Sequence, residues 1–241
     1  MRAVLIKVLD RLGVKAQTKR LLEGAGVVTW TWTPLVPERA FIGCCRNAIG
    51  VLREHNRDAD LGDYLEFGVS RGTSLSCVHK VLVEMGLPQM RLIGFDSFEG
   101  LPPEAAEEGW RPGQYKSTLA HTRAYLTKKG VDWQRVTLVP GWFSETLTEA
   151  TKQQLGLAKA SLVMIDCDTY SASRAALFFC ASLLHDQAVI IFDDWGWRAD
   201  VGEIGQKEAF DEFLAAFPNF RATPLPTYHP AARVFVLVTE E

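Results

Sequence analysis

Short apolar runs alternate with helical patterns along most of this chain, from about residue 62 to the end. Each run holds four to six mostly apolar residues, which is typical of a strand covered on both faces. Between the runs, apolar residues recur at three- and four-residue steps, as in residues 75–85, 172–184 and 203–217, which predicts helices. The runs span residues 64–69, 91–96, 136–139, 161–166, 188–193 and 233–238. This alternation predicts an α/β fold with an open, mainly parallel sheet and helices on both faces.

Length and charge narrow the class of protein. A chain of 241 residues suits one large α/β domain. Its net charge of -3 predicts neither nucleic acid nor an anionic membrane as the main partner. No apolar run approaches the roughly 18–20 residues of a membrane-spanning helix. Five cysteines without a CxxC pair argue against a disulfide framework, and a cytoplasmic location is expected.

The region before the first apolar run lacks the alternation of strands and helices that is predicted for the rest of the chain. Residues 1–60 are expected to form an N-terminal helical cap, with prolines at 34 and 37 breaking its middle and a helix over 38–55. Residues 61–241 then form the main domain of the same structural unit. The N-terminal helices offer a surface through which a homodimer could form.

A glycine-rich turn follows the first run, with the sequence EFGVSRG at residues 66–72. Gly68 would let the backbone turn sharply, and Gly72 would allow a ligand to approach closely before a helix that starts near Thr73 or Ser74. Free N–H groups at that helix N-terminus would face a carboxylate or a phosphate. The turn matches neither GxGxxG nor a phosphate loop, which counts against NAD and nucleoside triphosphates. A purely structural turn is the alternative.

Acidic residues end several of the runs. Asp96, thirty residues after Glu66, is placed to accept hydrogen bonds from ribose hydroxyls, or else to cap a turn. The fourth run ends in Asp166-Cys167-Asp168 and the fifth in Asp193-Asp194. Neighbouring parallel strands would bring these four carboxylates to one edge of the sheet, where like charges repel unless a cation lies between them.

All-oxygen ligands favour Mg²⁺, Mn²⁺ or Ca²⁺ over zinc. The sequence therefore predicts a divalent cation site at this edge. The alternative is that some of these carboxylates cap helices or pair with Arg174 or Arg198, which lie nearby in the sequence.

Four segments of the chain resemble the macrocin O-methyltransferase family of class I S-adenosylmethionine-dependent methyltransferases. They are residues 66–72 (EFGVSRG), 95–102 (FDSFEGLP), 140–147 (PGWFSETL), and 166–170 (DCDTY) together with 193–194. Their order and spacing match over about residues 60–200. The resemblance implies a Rossmann-like sheet of seven mostly parallel strands, S-adenosylmethionine as methyl donor, and Mg²⁺ or Mn²⁺.

The resemblance also implies a role for each matching residue. The methionine end of the cofactor would lie against Glu66, Gly68, Arg71, Gly72 and Ser74. Asp96 would hold the ribose, Ser97 and Phe98 would lie beside the adenosine, and Gly141 and Trp142 would border the adenine. The metal ligands would be Asp166, Asp193 and Asp194, with Asp166 also counted among the cofactor-binding and catalytic residues.

The implied reaction is methyl transfer from a sulfonium to a hydroxyl oxygen, which needs a base. Asp168 is the first candidate, as a base or else as a further metal ligand or its support, and His121 and His229 follow. Related catechol methyltransferases carry a lysine base where this chain has Thr169. A lysine base is therefore not supported.

A connection over residues 99–118 is long enough to be a binding loop. We expect it to cover the acceptor, with Trp110 and Tyr115 in contact, and residues 29–32 to form the facing wall; a disordered surface loop is the alternative. The resulting hypothesis is a metal-dependent O-methyltransferase acting on a sugar of a glycosylated natural product. Alternatives are a catechol or phenol acceptor, an NAD-dependent oxidoreductase, and a non-catalytic binding module.

Overall fold

A computed structural model describes residues 36–196 and 204–240 of the chain. Its helices are α1 Glu38–His55, α2 Thr73–Glu84, α3 Leu119–Lys129, α4 Phe143–Thr146, α5 Glu149–Leu155, α6 Tyr170–Cys180 and α7 Gln206–Ala216. Its strands are β1 Asp63–Phe67, β2 Leu92–Asp96, β3 Val136–Pro140, β4 Ala160–Ile165, β5 Gln187–Phe192, β6 Phe220–Leu225 and β7 Arg233–Thr239. Residues 29–32, expected to form a wall facing the acceptor, lie outside the described part. Arg198, considered as a partner of the carboxylates, lies outside it as well.

Seven strands form one sheet in the order β3-β2-β1-β4-β5-β7-β6. β1 pairs in parallel with β2 and β4, and the parallel pairing continues to β3 on one side and β5 on the other. β7 is antiparallel to both β5 and β6. The predicted α/β class, with a mostly parallel seven-stranded sheet, is confirmed. The strand order reverses between β1 and β4, and the carboxyl ends beside that point are where such sheets bind ligands.

Side chains of the central strands alternate between two apolar cores, one on each face of the sheet. In β1, Tyr64 joins the core beneath α1 and α2, whereas Leu65 and Phe67 join the core on the other face. In β4, Met164 and Ile165 divide in the same way. Successive side chains of a strand point to opposite faces of the sheet, and both faces are covered here. The central strands therefore appear in the sequence as continuous apolar runs.

β6 is the strand that the sequence pattern did not reveal. It lies at the edge of the sheet, its residues are half-buried or exposed, and it contains Pro224. An edge strand needs only one hydrogen-bonded side and tolerates proline. It therefore lacks the apolar run by which the six other strands were recognised.

α1 belongs to the same compact unit as the sheet. The described residues, α1 included, belong to one compact unit. Phe41, Cys45, Ile49 and Leu52 recur at helical spacing along α1, and all are fully buried in the core shared with α2. The segment 38–55, which the sequence analysis assigned to a cap, is thus a covering layer of the sheet. Among the helices described, none combines the length and apolar character needed to cross a membrane.

Candidate active site

A cavity of about 1080 Å³ opens beyond the carboxyl ends of the central strands. Residues that follow three parallel strands line it: Asp96 and Ser97 after β2, Trp142 after β3, and Asp166 and Asp168 after β4. These five were singled out from the sequence, and the cavity brings them together. This volume lies at the upper end of the range of about 300 to 1,000 Å³ that is typical of ligand pockets.

The apolar wall of this cavity was not anticipated. Phe178 and Phe179 of α6 face it, with Phe143, Leu147 and Lys152 from the helices after β3. Lys152 is buried, and its Nζ donates to Glu149 and to Ser182 at 2.6 and 2.8 Å. The sequence marked residues 172–184 only as an apolar helical stripe. A stripe alone does not tell which of its residues face a core and which face a ligand.

Three carboxylates meet where β4 and β5 end. Asp166, Asp193 and Asp194 each offer an oxygen, and these oxygens all lie within 4.8 Å of one another. The sheet register is the cause, because Ile165 pairs with Phe192 and the Asp193 N–H donates to the Ile165 carbonyl at 3.1 Å. The residues after both strands are thereby held side by side. We call these three residues the acidic trio.

The acidic trio is electrostatically unfavourable by itself. Two unit charges separated by 4.8 Å repel by about 3–4 kcal/mol at an effective dielectric constant of about 20. Burial, and then the negative charges of Asp193 and Asp194, raise the pKa of Asp166 well above its usual range. Burial and the charge of Asp193 raise the pKa of Asp194 to about 7. Such a site stays ionised at neutral pH when a cation balances it.

A tyrosine and a histidine are hydrogen-bond partners of the acidic trio. Tyr228 and His229 bond to Oδ1 of Asp193. Among the described residues, none donates a hydrogen bond to the buried Oδ2 of Asp194. Arg174, which could have neutralised the cluster, pairs with Glu212 at 2.9 Å instead.

Asp168 lines the cavity next to the acidic trio but is not part of it. Its backbone adopts a left-handed conformation with φ of 62°, which aspartate tolerates better than most residues. The turn is tight, since the Thr169 N–H donates to the Cys167 carbonyl at 2.6 Å. Burial, with the charges of Asp194, Asp193 and Asp96, raises the pKa of Asp168 well above its usual range.

Asp96 organises the glycine-rich turn from the end of β2. Its carboxylate accepts the Ser70 N–H at 2.7 Å and the Phe98 N–H at 2.5 Å. A carboxylate has about four acceptor sites, so capacity remains for a ligand in the cavity that Asp96 lines. Both functions considered from the sequence, turn capping and ligand binding, are therefore compatible with this geometry.

Glu66 lies fully buried below the same turn. Its carboxylate accepts hydrogen bonds from the Tyr64 hydroxyl and, at 2.7 Å, from the Ser74 hydroxyl. Burial outweighs these bonds and raises the pKa of Glu66 to about 7. Glu66 and Ser74 therefore brace the turn from beneath, and neither is among the residues that line the cavity.

The glycines of the turn are required for reasons other than ligand approach. A Cβ on Gly68, where φ is 92°, would lie 1.7 Å from the Asp166 carbonyl oxygen, so glycine allows β1 and β4 to end close together. A Cβ on Gly72 would lie 2.7 Å from the Leu126 side chain of α3. The expectation that Gly72 leaves room for a ligand stays a prediction, because this contact concerns only the direction in which a Cβ would point.

Other residues singled out from the sequence lie away from the cavity. Phe98 is buried in the core with α1 and α2, and Gly141 faces Thr146 of α4. Arg71 is a third residue of the turn that does not line the cavity, and burial lowers its pKa to about 10. His121 is exposed in the first turn of α3, where its N–H donates to Thr118. A base acting in the cavity cannot be His121 in this arrangement.

The 99–118 connection is folded against the rest of the site. Leu101 N–H donates to the Gln114 carbonyl and Gly113 N–H to the Leu101 carbonyl, at 3.0 and 2.8 Å, which closes the loop at its base. Glu108 accepts the Tyr170 and Ser171 N–H groups at 2.6 and 3.1 Å. A carboxylate at a helix N-terminus is favourable, so this contact attaches the loop to α6.

Tyr115 of this loop is close enough to the acidic groups for their charges to act on its hydroxyl. It lines the cavity, and its backbone carbonyl accepts the Ser70 hydroxyl at 3.1 Å. Burial and the charge of Asp168 raise the pKa of Tyr115. The Trp110 ring lies 6.4 Å from the Tyr115 ring. The loop therefore forms one wall of the cavity, whose other walls are the strand ends and α6.

The sequence of the chain is similar to that of a known enzyme family. The sequence profile of the family described as macrocin O-methyltransferase (TylF) matches residues 43–215. The chain belongs to the macrocin O-methyltransferase family. The match covers most of α1, all five parallel strands and the acidic trio, so the resemblance read from four segments is confirmed.

Two curated proteins of this kind show limited but clear similarity. A tetracenomycin rhamnosyl 4'-O-methyltransferase of Streptomyces olivaceus is 30% identical over 143 residues, which make up 56% of this chain and 53% of that protein. The mycinamicin III 3''-O-methyltransferase of Micromonospora griseorubida is 27% identical over 152 residues, or 58% of this chain and 57% of that protein. The chain thus spans little more than half the length of the relatives it matches.

Solved structures of methyltransferases share the fold. The O-methyltransferase NovP superposes with a TM-score of 0.67 at 19% identity, covering 84% of this chain and 80% of NovP. The calicheamicin methyltransferase CalS11 superposes with a TM-score of 0.62 at 22% identity, covering 80% and 78% of the two chains. At these identities the likeness supports the architecture, a class I methyltransferase sheet.

Proposed function

We propose that this member of the macrocin O-methyltransferase family is an S-adenosylmethionine-dependent O-methyltransferase. Its acceptor would be a hydroxyl of a small molecule, with a sugar of a glycosylated natural product as the acceptor class. The observation that carries the proposal is the convergence of Asp96, Asp168 and the acidic trio beside one cavity. The two curated relatives are named for methylation of sugar positions, which supports the acceptor class.

The cavity fits the donor through groups already described. Asp96 retains acceptor capacity for ribose hydroxyls, and Ser97 and Trp142 line the cavity on the same side. S-adenosylmethionine supplies a methyl group on a sulfonium, which is already activated for transfer. The remaining task of the chain is to align acceptor and donor, since orientation alone contributes several kcal/mol.

The acidic trio fits a hard divalent cation, and we propose Mg²⁺ or Mn²⁺. The donors are all carboxylate oxygens, and Asp194 carries a buried oxygen without a donor among the described residues. A cation of this kind lowers the pKa of a hydroxyl that contacts it and orients that hydroxyl. In the same site, Asp168 would accept the proton of the acceptor hydroxyl. Its place outside the trio, with its side chain in the cavity wall, favours this role over that of a ligand.

The loop over 99–118 would cover the acceptor and exclude water. Tyr115 and Trp110 provide aromatic surface, which packs well against sugar faces. The position of a catechol-enzyme lysine base is occupied by Thr169, whose hydroxyl caps α6 by accepting the Ala172 N–H. This observation favours the sugar acceptor over a catechol. The family assignment likewise favours methyl transfer over an NAD-dependent reaction.

A methyl-transfer screen over glycosides and catechols, read by mass spectrometry, tests the proposal directly. We expect transfer to a glycoside hydroxyl, a loss of about 100-fold or more in excess EDTA, and recovery on adding Mg²⁺. Undiminished activity in chelator would remove the cation from the reaction. Transfer to catechols alone would reassign the acceptor. An Asp168→Asn variant that binds Mn²⁺ normally but transfers slowly would identify the base.

Replacement of Asp96 tests the donor site separately. In Asp96→Ala, two ribose hydrogen bonds to a charged acceptor are lost, each worth about 1.5–3 kcal/mol. We therefore expect S-adenosylhomocysteine to bind about 100-fold more weakly or worse, by titration calorimetry. Because Asp96 also holds the turn, the unliganded melting temperature is measured in parallel. Unchanged affinity for S-adenosylhomocysteine would place the donor elsewhere.

A further inference from the structure

The turn between β6 and β7 brings two side chains to one oxygen of the acidic trio. The Tyr228 hydroxyl donates to Asp193 Oδ1, and His229 Nε2 lies 3.1 Å from the same atom. These residues are 35 and 36 positions from Asp193 in the sequence. Nothing in the local pattern of either segment links them, so the contact is a product of the antiparallel pairing of β7 with β5.

The hydrogen bonds around His229 define which ring nitrogen carries the hydrogen. The Ala231 N–H donates to His229 Nδ1 at 3.1 Å, so Nδ1 acts as an acceptor. In the neutral ring the other nitrogen then bears the hydrogen. His229 Nε2 is therefore a donor, and Asp193 Oδ1 accepts from both His229 and Tyr228.

Packing keeps Tyr228 in place. Its ring is buried and meets the Phe41 ring of α1 edge-on at 4.9 Å, and the His229 ring edge-on at 4.7 Å. The hydroxyl is thus held at Asp193 by the core as well as by its hydrogen bond. A rotation of Asp193 would break two hydrogen bonds together.

We infer that Tyr228 and His229 are positioning residues that orient Asp193 as a cation ligand. By occupying Oδ1, they leave Oδ2 as the oxygen of Asp193 to which no described residue donates, and they fix its direction. This inference rests on the proposed cation site. Groups that hydrogen-bond metal-ligating side chains typically change metal affinity by about 10–100-fold when removed. The residues proposed for the methyl donor, Asp96, Ser97 and Trp142, lie outside these contacts, so donor binding should not change.

Gln206 helps to hold the backbone of Asp194, a second member of the acidic trio. Its side chain accepts the Asp194 N–H at 3.0 Å and donates to the Ile165 carbonyl at 3.1 Å. It thereby ties the end of β5 to the end of β4. Asp193 is the member whose carboxylate is held by described side chains, so its orientation is the one that side-chain variants can release.

Mn²⁺ binding to the full chain, measured by electron paramagnetic resonance without donor or acceptor, tests the inference. We expect Tyr228→Phe and His229→Leu each to weaken Mn²⁺ binding several-fold, and the double variant about 10–100-fold. His229→Gln keeps an N–H donor near the position of Nε2 and should remain within about threefold of the parent. Affinity for S-adenosylhomocysteine should stay unchanged in all of them.

Tyr170→Phe is the matched control. It removes a tyrosine-to-carboxylate hydrogen bond of the same kind, to Glu212, outside the acidic trio, and should leave Mn²⁺ affinity unchanged. A double variant that binds Mn²⁺ as tightly as the parent would overturn the positioning role, as would equal losses in His229→Gln and His229→Leu. Failure of the parent protein itself to bind Mn²⁺ would overturn the cation site, and this inference with it.

Discussion

Asp194→Asn is expected to lower kcat by about 10³-fold, equivalent to roughly 4 kcal/mol of transition-state stabilisation. The reason is that this substitution removes the negative charge of the carboxylate whose buried Oδ2 has no donor among the described residues. Mn²⁺ affinity should fall with kcat. The dissociation constant of S-adenosylhomocysteine should change less than about threefold, because Asp194 does not line the cavity.

The same substitution is expected to stabilise the cation-free protein. The pKa of Asp194 is raised to about 7, so the ionised carboxylate destabilises the fold above that pH. Allowing for an amide that lacks one partner, the free energy of unfolding at pH 8 should rise by about 1–2 kcal/mol. Added Mg²⁺ should then raise the melting temperature of the parent but not of the variant.

Asp168→Asn serves as the control for these measurements. It changes a neighbouring carboxylate that lies in the cavity wall but outside the acidic trio, and it should retain Mn²⁺ binding. Simultaneous loss of Mn²⁺ and S-adenosylhomocysteine binding in Asp194→Asn would indicate a general structural role instead. Normal Mn²⁺ binding in that variant would refute the assignment of Asp194 as a ligand.

Glu66→Gln is expected to change how stability depends on pH. Burial raises the pKa of Glu66 from 4.5 in the unfolded chain to about 7, so the folded protein binds more protons between these values. Its contribution to stability is fully present below pH 4.5 and is lost as the pH rises through about 7. Gln resembles the protonated side chain and can accept from Tyr64 or Ser74. At pH 8 the variant should therefore be more stable by about 3 kcal/mol.

Urea unfolding of both proteins between pH 4 and pH 9 measures this effect. The difference in free energy should be near zero at pH 4, grow between about pH 4.5 and 7, and then level off. Glu212→Gln is the control, because the hydrogen bonds of exposed Glu212 with Arg174 and Tyr170 lower its pKa. That variant should differ in the opposite direction. A Glu66→Gln difference that is independent of pH would show that Glu66 ionises freely.

These two variants distinguish the two kinds of buried carboxylate at the strand ends. Glu66 is surrounded by hydroxyl donors and braces a turn. The acidic trio has too few donors for its charge and needs a cation. Glu66 and the acidic trio lie at the same edge of the sheet. Removal of a negative charge should increase the free energy of unfolding at either place, but it should lower catalysis chiefly in the acidic trio.

Much of the fold could be predicted from the sequence because local hydrophobic patterns indicate the strands and helices. Buried parallel strands are continuous apolar runs, and the six runs correspond to the six strands with such composition. Asp96, Asp166, Asp168 and the Asp193-Asp194 pair follow those runs directly, so strand order alone places them at one edge. β6 was missed because an edge strand with a proline has no comparable pattern.

Contacts between segments that are distant in the sequence were determined only by the tertiary structure. Tyr228 and His229 reach Asp193 because β7 returns antiparallel beside β5, and α6 contributes the aromatic wall through one of its faces. A Cβ at Gly72 would likewise meet Leu126, which lies 54 residues later in the sequence. Sequence periodicity records what a segment buries along its own length. It carries no information on which remote side chain completes a hydrogen bond, and that is settled by the register and packing of the sheet.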